Sequence, residues 1–395
     1  MELIIKLIKI IMKHYLTESN LYDSKDQFQT FSVSRIKTYK DCSQMYKLKY
    51  VDKLDVFKQS TSTLSGTLLH AALEYFYGTE DSEVVTPEDA YFKILPIELA
   101  NVGITKADSL CNELLEYYED IKHLYARASE SYTGPDAIRT RNGSVPKAPE
   151  MTGVWKAAVK KLNLDTRKSL IDTTIQTSKD GMEDVSIVDV FTKSLQIIKE
   201  YTTPREMVKM LSLEMPLSQW DYENNILRNP VPFPGCSHPH VYLNGYIDNI
   251  CKIRVGSKTY TTIVDYKSSK ETFDENIVKH NQQLLLYAAG VEYITGEPVE
   301  YIGILSFLQK ELIYVPVDKK IQQEVIEIYN RVIDKTIKGE FNKHVPDTKY
   351  SQCLSSFGGE CPFLKHCWPD AYNYNHSTDD NFSLPFDFDM LKYGN

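Results

Sequence analysis

The chain has 395 residues, 42% hydrophobic and 25% charged, with 45 Lys and Arg against 54 Asp and Glu for a net charge of −9. That length allows two domains or one large domain with an insertion, and the balance excludes a molecule coated in basic charge while leaving room for a local basic groove. Seven cysteines, an odd number in a large chain without a secretory signal, argue against a disulfide framework and for a reducing, cytoplasmic setting.

Residues 1–30 read as an N-terminal extension. Its opening "MELIIKLIKIIMKHY" carries Lys6, Lys9 and Lys13 at helical spacing. It is too short and too charged to span a bilayer, so an amphipathic helix and no membrane partner are expected. Met12 is an alternative start. In residues 31–80, "FSVSRIKTYKDCSQMYKLKYVDKL" (31–54) predicts a helix capped by Ser32 or Ser34. "STLSGTLLHAALEYFYG" (62–78) predicts a second helix, stopped by Gly78.

Residues 81–205 are expected to be a helical insertion, interrupted by a Gly- and Pro-rich loop at 131–153. Within it, residues 122–168 hold ten basic side chains against four acidic ones, with Tyr125, Tyr132 and Trp155 interleaved. Basic groups mixed with aromatics suit a single nucleic-acid strand, and Lys156, Lys160, Lys161, Arg167 and Lys168 are the candidates. A solvated helical face is the alternative.

The grammar changes in residues 206–345. "MLSLEMPLSQW" (210–220) predicts a strand, followed by a loop with four prolines (228–240). "VYLNGYIDNICKIRV" and "KTYTTIVDYKSS" predict a hairpin turning at Gly256–Ser257. Next come a helix over 278–296 closed by Gly296, two strands within 299–317 and a long last helix. "VGSKTY" lacks the spacing of a phosphate-binding loop and belongs to the hairpin turn. The order predicts an α/β fold: a central mixed sheet flanked by helices, with the helical insertion ahead of it.

In a strand, residues i and i+2 share a face, so Asp265 and Lys267 stand together with Tyr266 turned away. Asp248 ends the apolar run of the opposite strand. Two carboxylates aimed at one spot repel each other, and a divalent Mg²⁺ or Mn²⁺ ion is the usual compensation. A structural ion pair is the other reading. Residues 346–370 hold Cys353, Cys361 and Cys367 in a C-x7-C-x5-C array. Three local thiolates leave a tetrahedral site one ligand short. Cys42 is the candidate fourth, because His366 is adjacent to Cys367 and the two would rarely reach one ion. Cys111, Cys236 and Cys251 read as buried small hydrophobes. The acidic, aromatic tail 371–395 is expected to be flexible.

Several of these segments, taken together, resemble the PD-(D/E)XK nuclease superfamily. The likeness is to its RecB-type branch, with the AddB nucleases and the iron–sulfur CRISPR-associated adaptation nucleases. "SRIKTYKDCSQMYKLKYV", "GTLLHAALE", "GYIDNI", "IVDYKSS", "QLLLYA" and "CPFLKHCW" occur in the family's order, while 80–205 match nothing in it. The resemblance implies a restriction-endonuclease-like core in which a [4Fe–4S] cluster on Cys42, Cys353, Cys361 and Cys367 joins the two ends. The x7 spacing and Ser43 after Cys42 depart from the pattern and leave Zn²⁺ as the alternative. It further implies that His70, Asp248, Asp265 and the Tyr266 carbonyl bind the metal, that Lys267 is catalytic, and that Gln283 and Tyr287 position DNA or the lysine. Without the resemblance, His70 reads as a packed helix histidine. Glu214, ahead of the hairpin, is a further candidate acid. The implied function is metal-dependent hydrolysis of DNA, as an exonuclease in recombination, repair or replication, with a helicase or recombination protein as partner. The alternatives are a structure-specific or single-strand endonuclease and a non-catalytic DNA-binding subunit.

Overall fold

The computed structural model describes residues 28–54, 61–101, 107–116, 174–176, 184–223, 226–268, 271–307, 309–343, 353 and 361–369. Residues 1–27 of the expected extension, the 131–153 loop, the basic segment 122–168 and the tail lie outside them. The chain divides into two units, one formed by Met1–Lys58 with Thr203–Asn395 and the other by Gln59–Thr202.

In the first unit, β1 (Gln29–Phe31) leads into helix α1 (Val33–Asp41). Ser32 caps it, its Oγ accepting from the Arg35 amide at 3.1 Å, as expected from a serine at the head of a helical pattern. Ile36 and Tyr39, three apart, supply its buried face. A short helix α2 (Ser43–Tyr46) continues as a π-helical turn over Lys47–Val51. Arg35 braces this corner. Its guanidinium reaches the Thr30 carbonyl at 2.6 Å and the Tyr46 hydroxyl at 2.8 Å, among the rings of Phe31, Tyr46 and Tyr50.

The main sheet has five strands: β4 (Met207–Leu217), β8 (Gly245–Val255), β9 (Lys258–Lys267), β10 (Tyr301–Ser306) and β11 (Glu311–Pro316). They lie side by side in the order β11–β10–β9–β8–β4. Only β9 and β10 pair in parallel, so the sheet is mixed and flanked by helices, as the element order predicts. Gly256 takes the left-handed φ of +63° that the hairpin turn requires.

Parallel pairing demands a crossover. Two helices supply it, Glu275–Lys279 and Gln282–Thr295, where the sequence predicts a single helix over 278–296. The break has a local cause: Asn281 Oδ1 accepts from the Leu284 amide at 3.0 Å and restarts the helix as a new cap. Gly296, at φ +67°, closes it. Leu284, Leu285, Ala288 and Val291 share one buried core with Ile250, Ile263, Ile302 and Ile304 of the sheet and with Val325, Tyr329 and Ile333 of the last helix (Lys319–Ile337).

A second departure lies just ahead of the site. The alternating run 241–255 predicts one strand, but Asn244 splits it. β7 (Val241–Leu243) pairs in parallel with β1, whereas β8 starts at Gly245 in the large sheet. The Asn244 amide goes to the Phe31 carbonyl at 2.9 Å and its side-chain nitrogen to the Ser218 carbonyl at 3.2 Å, so a polar side chain takes over where the ladders change. A small hairpin, β5 (Gln219–Asp221) with β6 (Ile226–Arg228), precedes this crossing.

In the second unit, helices Thr61–Gly78, Pro87–Asn101 and Ile187–Lys199 pack together, with a further helical stretch at 107–116. Leu69, Leu73, Tyr91, Leu95, Phe191 and Leu195 are fully or almost fully buried. The Tyr91 hydroxyl meets Ser194 Oγ at 2.6 Å. A two-stranded ribbon, β2 (Thr174–Gln176) with β3 (Asp184–Ser186), completes the described part.

Candidate active site

The ladder between β8 and β9 begins at Val255–Lys258 and stops at Asn249–Val264. Past that point the strands follow different neighbours. β9 runs on beside β10 to Lys267–Ser306, and β8 runs on beside β4 to Gly245–Leu217. The sheet therefore forks, and Asp248 and Asp265 stand one on each branch, immediately beyond the last pair.

Alternation brings Asp265 and Lys267 to one face, and their side chains meet, Nζ to Oδ2 at 2.6 Å. The other oxygen, Oδ1, accepts from Gln283 Nε2 at 3.1 Å. Asp265 is only 6% exposed. Asp248 is fixed differently: its Oδ2 accepts from the Tyr266 backbone amide across the fork at 2.7 Å. Two hard oxygen donors on facing branches, one nearly buried and both oriented by hydrogen bonds, form a donor set that suits Mg²⁺ or Mn²⁺. Asp265 is nearly buried while the Lys267 ammonium stays partly open to solvent, its side chain 34% exposed.

Gln283 and Tyr287 share a face of the crossover helix, but they do not share a surface. Gln283 is half-buried on Asp265, whereas Tyr287 is 6% exposed and part of the core. A Cβ on Gly245 would overlap the Tyr287 phenol, so the glycine opening "GYID" and the tyrosine ending "QLLLY" interlock. Burial pushes the Tyr287 hydroxyl above the ordinary phenol range, and the charges of Asp265 and Asp248 push it further, against a hydrogen bond with the Tyr246 backbone. The start of that helix is anchored by Gln282, whose Oε1 accepts from the Tyr329 hydroxyl at 2.8 Å.

The other candidates are placed less closely. Leu213 pairs with Asn249 and Met215 with Ile247, which puts position 214 across from position 248. His70 lies half-buried on helix Thr61–Gly78, in the second unit. Lys156, Lys160, Lys161, Arg167 and Lys168 are outside the described residues. One residue escapes the sequence reading altogether. Asn249 is fully buried behind the fork, and its Nδ2 donates to the Tyr266 hydroxyl at 2.6 Å. The available signal is a polar residue directly after Asp248 on the otherwise apolar strand face of Ile247, Cys251 and Ile253.

Far from the fork in sequence, Cys42, Cys353, Cys361 and Cys367 line one recess with Met45, Leu364, Lys343 and Trp368. Cys42 caps helix Ser43–Tyr46, its Sγ accepting from the Met45 amide at 3.4 Å. The Cys361 amide donates to the Cys353 carbonyl at 2.9 Å, and Cys367 ends the short helix Leu364–Cys367. Burial, then the neighbouring Cys361 and Cys42, push the Cys367 thiol up to about 11, against the opposing charge of Lys343. Thiols in this number suit a soft metal or an iron–sulfur cluster. They surround the recess without converging: among the described residues no three His, Cys, Asp or Glu side chains are gathered to hold a metal ion. No helix among the described residues is long and apolar enough to cross a membrane.

A sequence model of the PD-(D/E)XK nuclease superfamily matches residues 30–368. A shorter segment of 62 residues is 37% identical to an ATP-dependent helicase/deoxyribonuclease polypeptide of Limosilactobacillus reuteri (strain DSM 20016), and equally to that of Limosilactobacillus reuteri subsp. reuteri (strain JCM 1112). That segment covers 15% of this chain and 5% of each of those proteins.

Proposed function

We propose, from the fact that this chain belongs to the PD-(D/E)XK nuclease superfamily, that it is a metal-dependent deoxyribonuclease, acting as an exonuclease in DNA recombination, repair or replication. The observation that carries the reading is the fork itself, where Asp248, Asp265, Lys267 and Gln283 meet. Asp248 and Asp265 would hold Mg²⁺ or Mn²⁺, with His70, the Tyr266 carbonyl and Glu214 as the further candidates. Such an ion, when bound, supplies Lewis acidity and an acidified water.

The chain's own groups do the rest. Asp265 holds the Lys267 ammonium over the fork, and Gln283 keeps that carboxylate from turning away. Lys267 then offers positive charge to the phosphate oxygens as the attacking water oxygen bonds to phosphorus. The opposite P–O ester bond breaks as the attacking water gives up one proton and the leaving oxygen takes one up, departing as an alcohol. Lys156, Lys160, Lys161, Arg167 and Lys168 are proposed to bind the strand that is cut. The helicase named in the relatives makes a DNA-unwinding protein the partner to look for.

We also propose a [4Fe–4S] cluster on Cys42, Cys353, Cys361 and Cys367, with Zn²⁺ as the alternative occupant. Their position around one recess supports it.

Labelled single- and double-stranded DNA incubated with the protein, with and without Mn²⁺, tests the main reading. Mn²⁺-dependent loss of nucleotides from an end is expected. Internal cuts would make it an endonuclease. Tight binding without any cleavage would leave a non-catalytic DNA-binding subunit.

A further inference from the structure

The branches that carry Asp248 and Asp265 are tied behind the site as well as in front of it. In front, the Tyr266 amide holds Asp248 Oδ2. Behind, on the face away from the carboxylates, Asn249 Nδ2 holds the Tyr266 hydroxyl at 2.6 Å. Tyr266 thus spans the fork twice, once through its backbone and once through its side chain. The last regular pair, Asn249–Val264, stands right at the crotch.

Packing alone does not account for this asparagine. It is fully buried, and its Oδ1 has no hydrogen-bond partner among the described residues. A half-satisfied buried amide costs stability that an apolar side chain of similar size would not. Its other neighbours are weakly polar or apolar: Nδ2 also donates to the Met210 thioether Sδ, a weak acceptor, at 3.2 Å, Cys251 is fully buried on the same strand face, and the Phe307 ring is 6.0 Å from that of Tyr266. In such surroundings the Asn249–Tyr266 bond is strong and directional.

We infer that Asn249 is a positioning residue, and that its bond to Tyr266 sets the width of the fork and with it the separation of the two carboxylates. The inference rests on the metal-dependent reading above. Asn249 adjoins Asp248, and Tyr266 lies between Asp265 and Lys267, so a tie between them governs all three groups without touching DNA. Loosening the tie leaves the donors in place but no longer preset.

The experiment uses the full-length chain and four variants: Tyr266→Phe, Asn249→Leu, the two combined, and Tyr91→Phe. The last removes a comparably buried hydroxyl bond, that to Ser194, in the second unit. Mn²⁺ affinity is read without DNA from the paramagnetic resonance of the free ion, and kcat and KM are measured on labelled DNA. Each single change at the fork is expected to weaken Mn²⁺ binding about tenfold, the scale of losing a group that orients metal ligands. It should also lower kcat with KM unchanged. The double variant should be no worse than Asn249→Leu, because that change already removes the bond to Tyr266. Tyr91→Phe should bind Mn²⁺ as the parent does. Should Asn249→Leu not fold, Tyr266→Phe, which removes one oxygen atom, decides alone. Unchanged Mn²⁺ affinity in the fork variants, or additive losses in the double, overturns the inference while the parent still binds Mn²⁺ and cuts DNA. A parent that does neither overturns the nuclease reading, and this inference with it.

Discussion

The fork and the cysteine recess gather reactive side chains in opposite ways. At the fork, strand register and three hydrogen-bonding partners orient the carboxylates: Lys267 and Gln283 on Asp265, and the Tyr266 amide on Asp248. The scaffold sets the geometry before any ligand arrives, and each donor lies within 18 residues of its partner. At the recess, one thiol comes from the cap of an early helix and three from near the end of the chain, and they ring a space without converging. The cluster proposed for it would have to draw the four thiols together. A preset site should lose function but keep its fold when a group is deleted. A ligand-assembled site should lose stability instead.

The largest effect that could break this contrast is at the fork. Asp265→Ala and Lys267→Ala should each slow single-turnover cleavage in Mg²⁺ or Mn²⁺ by roughly 10²–10³ while thermal unfolding stays near that of the parent, the scale of one lost transition-state charge contact. Parental rates in either variant would remove the pair from catalysis.

At the recess the balance should invert. Cys42→Ala should strip bound iron or zinc and lower stability by about 3–4 kcal/mol, the scale of releasing a long-loop tie. Cys111→Ala, a buried thiol of the second unit, should keep the metal. Elemental analysis and denaturant unfolding of anaerobically purified protein read both. Full metal content in Cys42→Ala would remove that residue from the site.

A smaller effect tests how tightly the preset site is packed. Gly245→Ala forces a methyl group into the Tyr287 phenol and should cost about 1–3 kcal/mol, the range for overfilling a core. Urea unfolding measures it, and adding Tyr287→Phe should recover part of the loss. Equal stability of Gly245→Ala and the parent would show that this contact is slack.

The smallest change per residue is expected in the basic segment. Reversing Lys156, Lys160, Lys161, Arg167 and Lys168 should weaken DNA binding and flatten its dependence on salt, because each neutralised phosphate releases counterions. An unchanged slope of affinity against salt concentration would reduce the segment to a solvated face.

How much of this was legible before the structure follows from the same contrast. The two-residue period puts Asp265 beside Lys267, and the Gly256 turn places Asp248 across from them, because a hairpin's register follows from its turn. The period does not say where a ladder stops. An alternating pattern runs unbroken through Asn244, yet the chain changes sheets there, and the pairing of Asn249 with Tyr266 depends on the fork that follows. Helical spacing likewise puts Gln283 and Tyr287 on one face. It does not say that the sheet rises to bury the second and leaves the first half-open. That depends on Gly245, about 40 residues earlier and far outside the window a periodicity can read. For Cys42 no local pattern exists. The count of ligands and the family resemblance pointed to it, and Cys42 lines one recess with the other three thiols.

The recess also has a consequence for the order of events during synthesis. Cys42 leaves the ribosome with the first helices, and the thiols that share its recess follow roughly 300 residues later, a delay of about 15–60 s at ordinary elongation rates. Throughout that interval Cys42 has none of these three companions, while the β8–β9 hairpin, with its contacts close in sequence, can already form. The hairpin that carries Asp248 and Asp265 can therefore form during translation, whereas Cys42 can share a recess with Cys353 only near its end. A nascent chain halted before residue 353 would be expected to hold the β8–β9 hairpin while Cys42 still lacks those three companions.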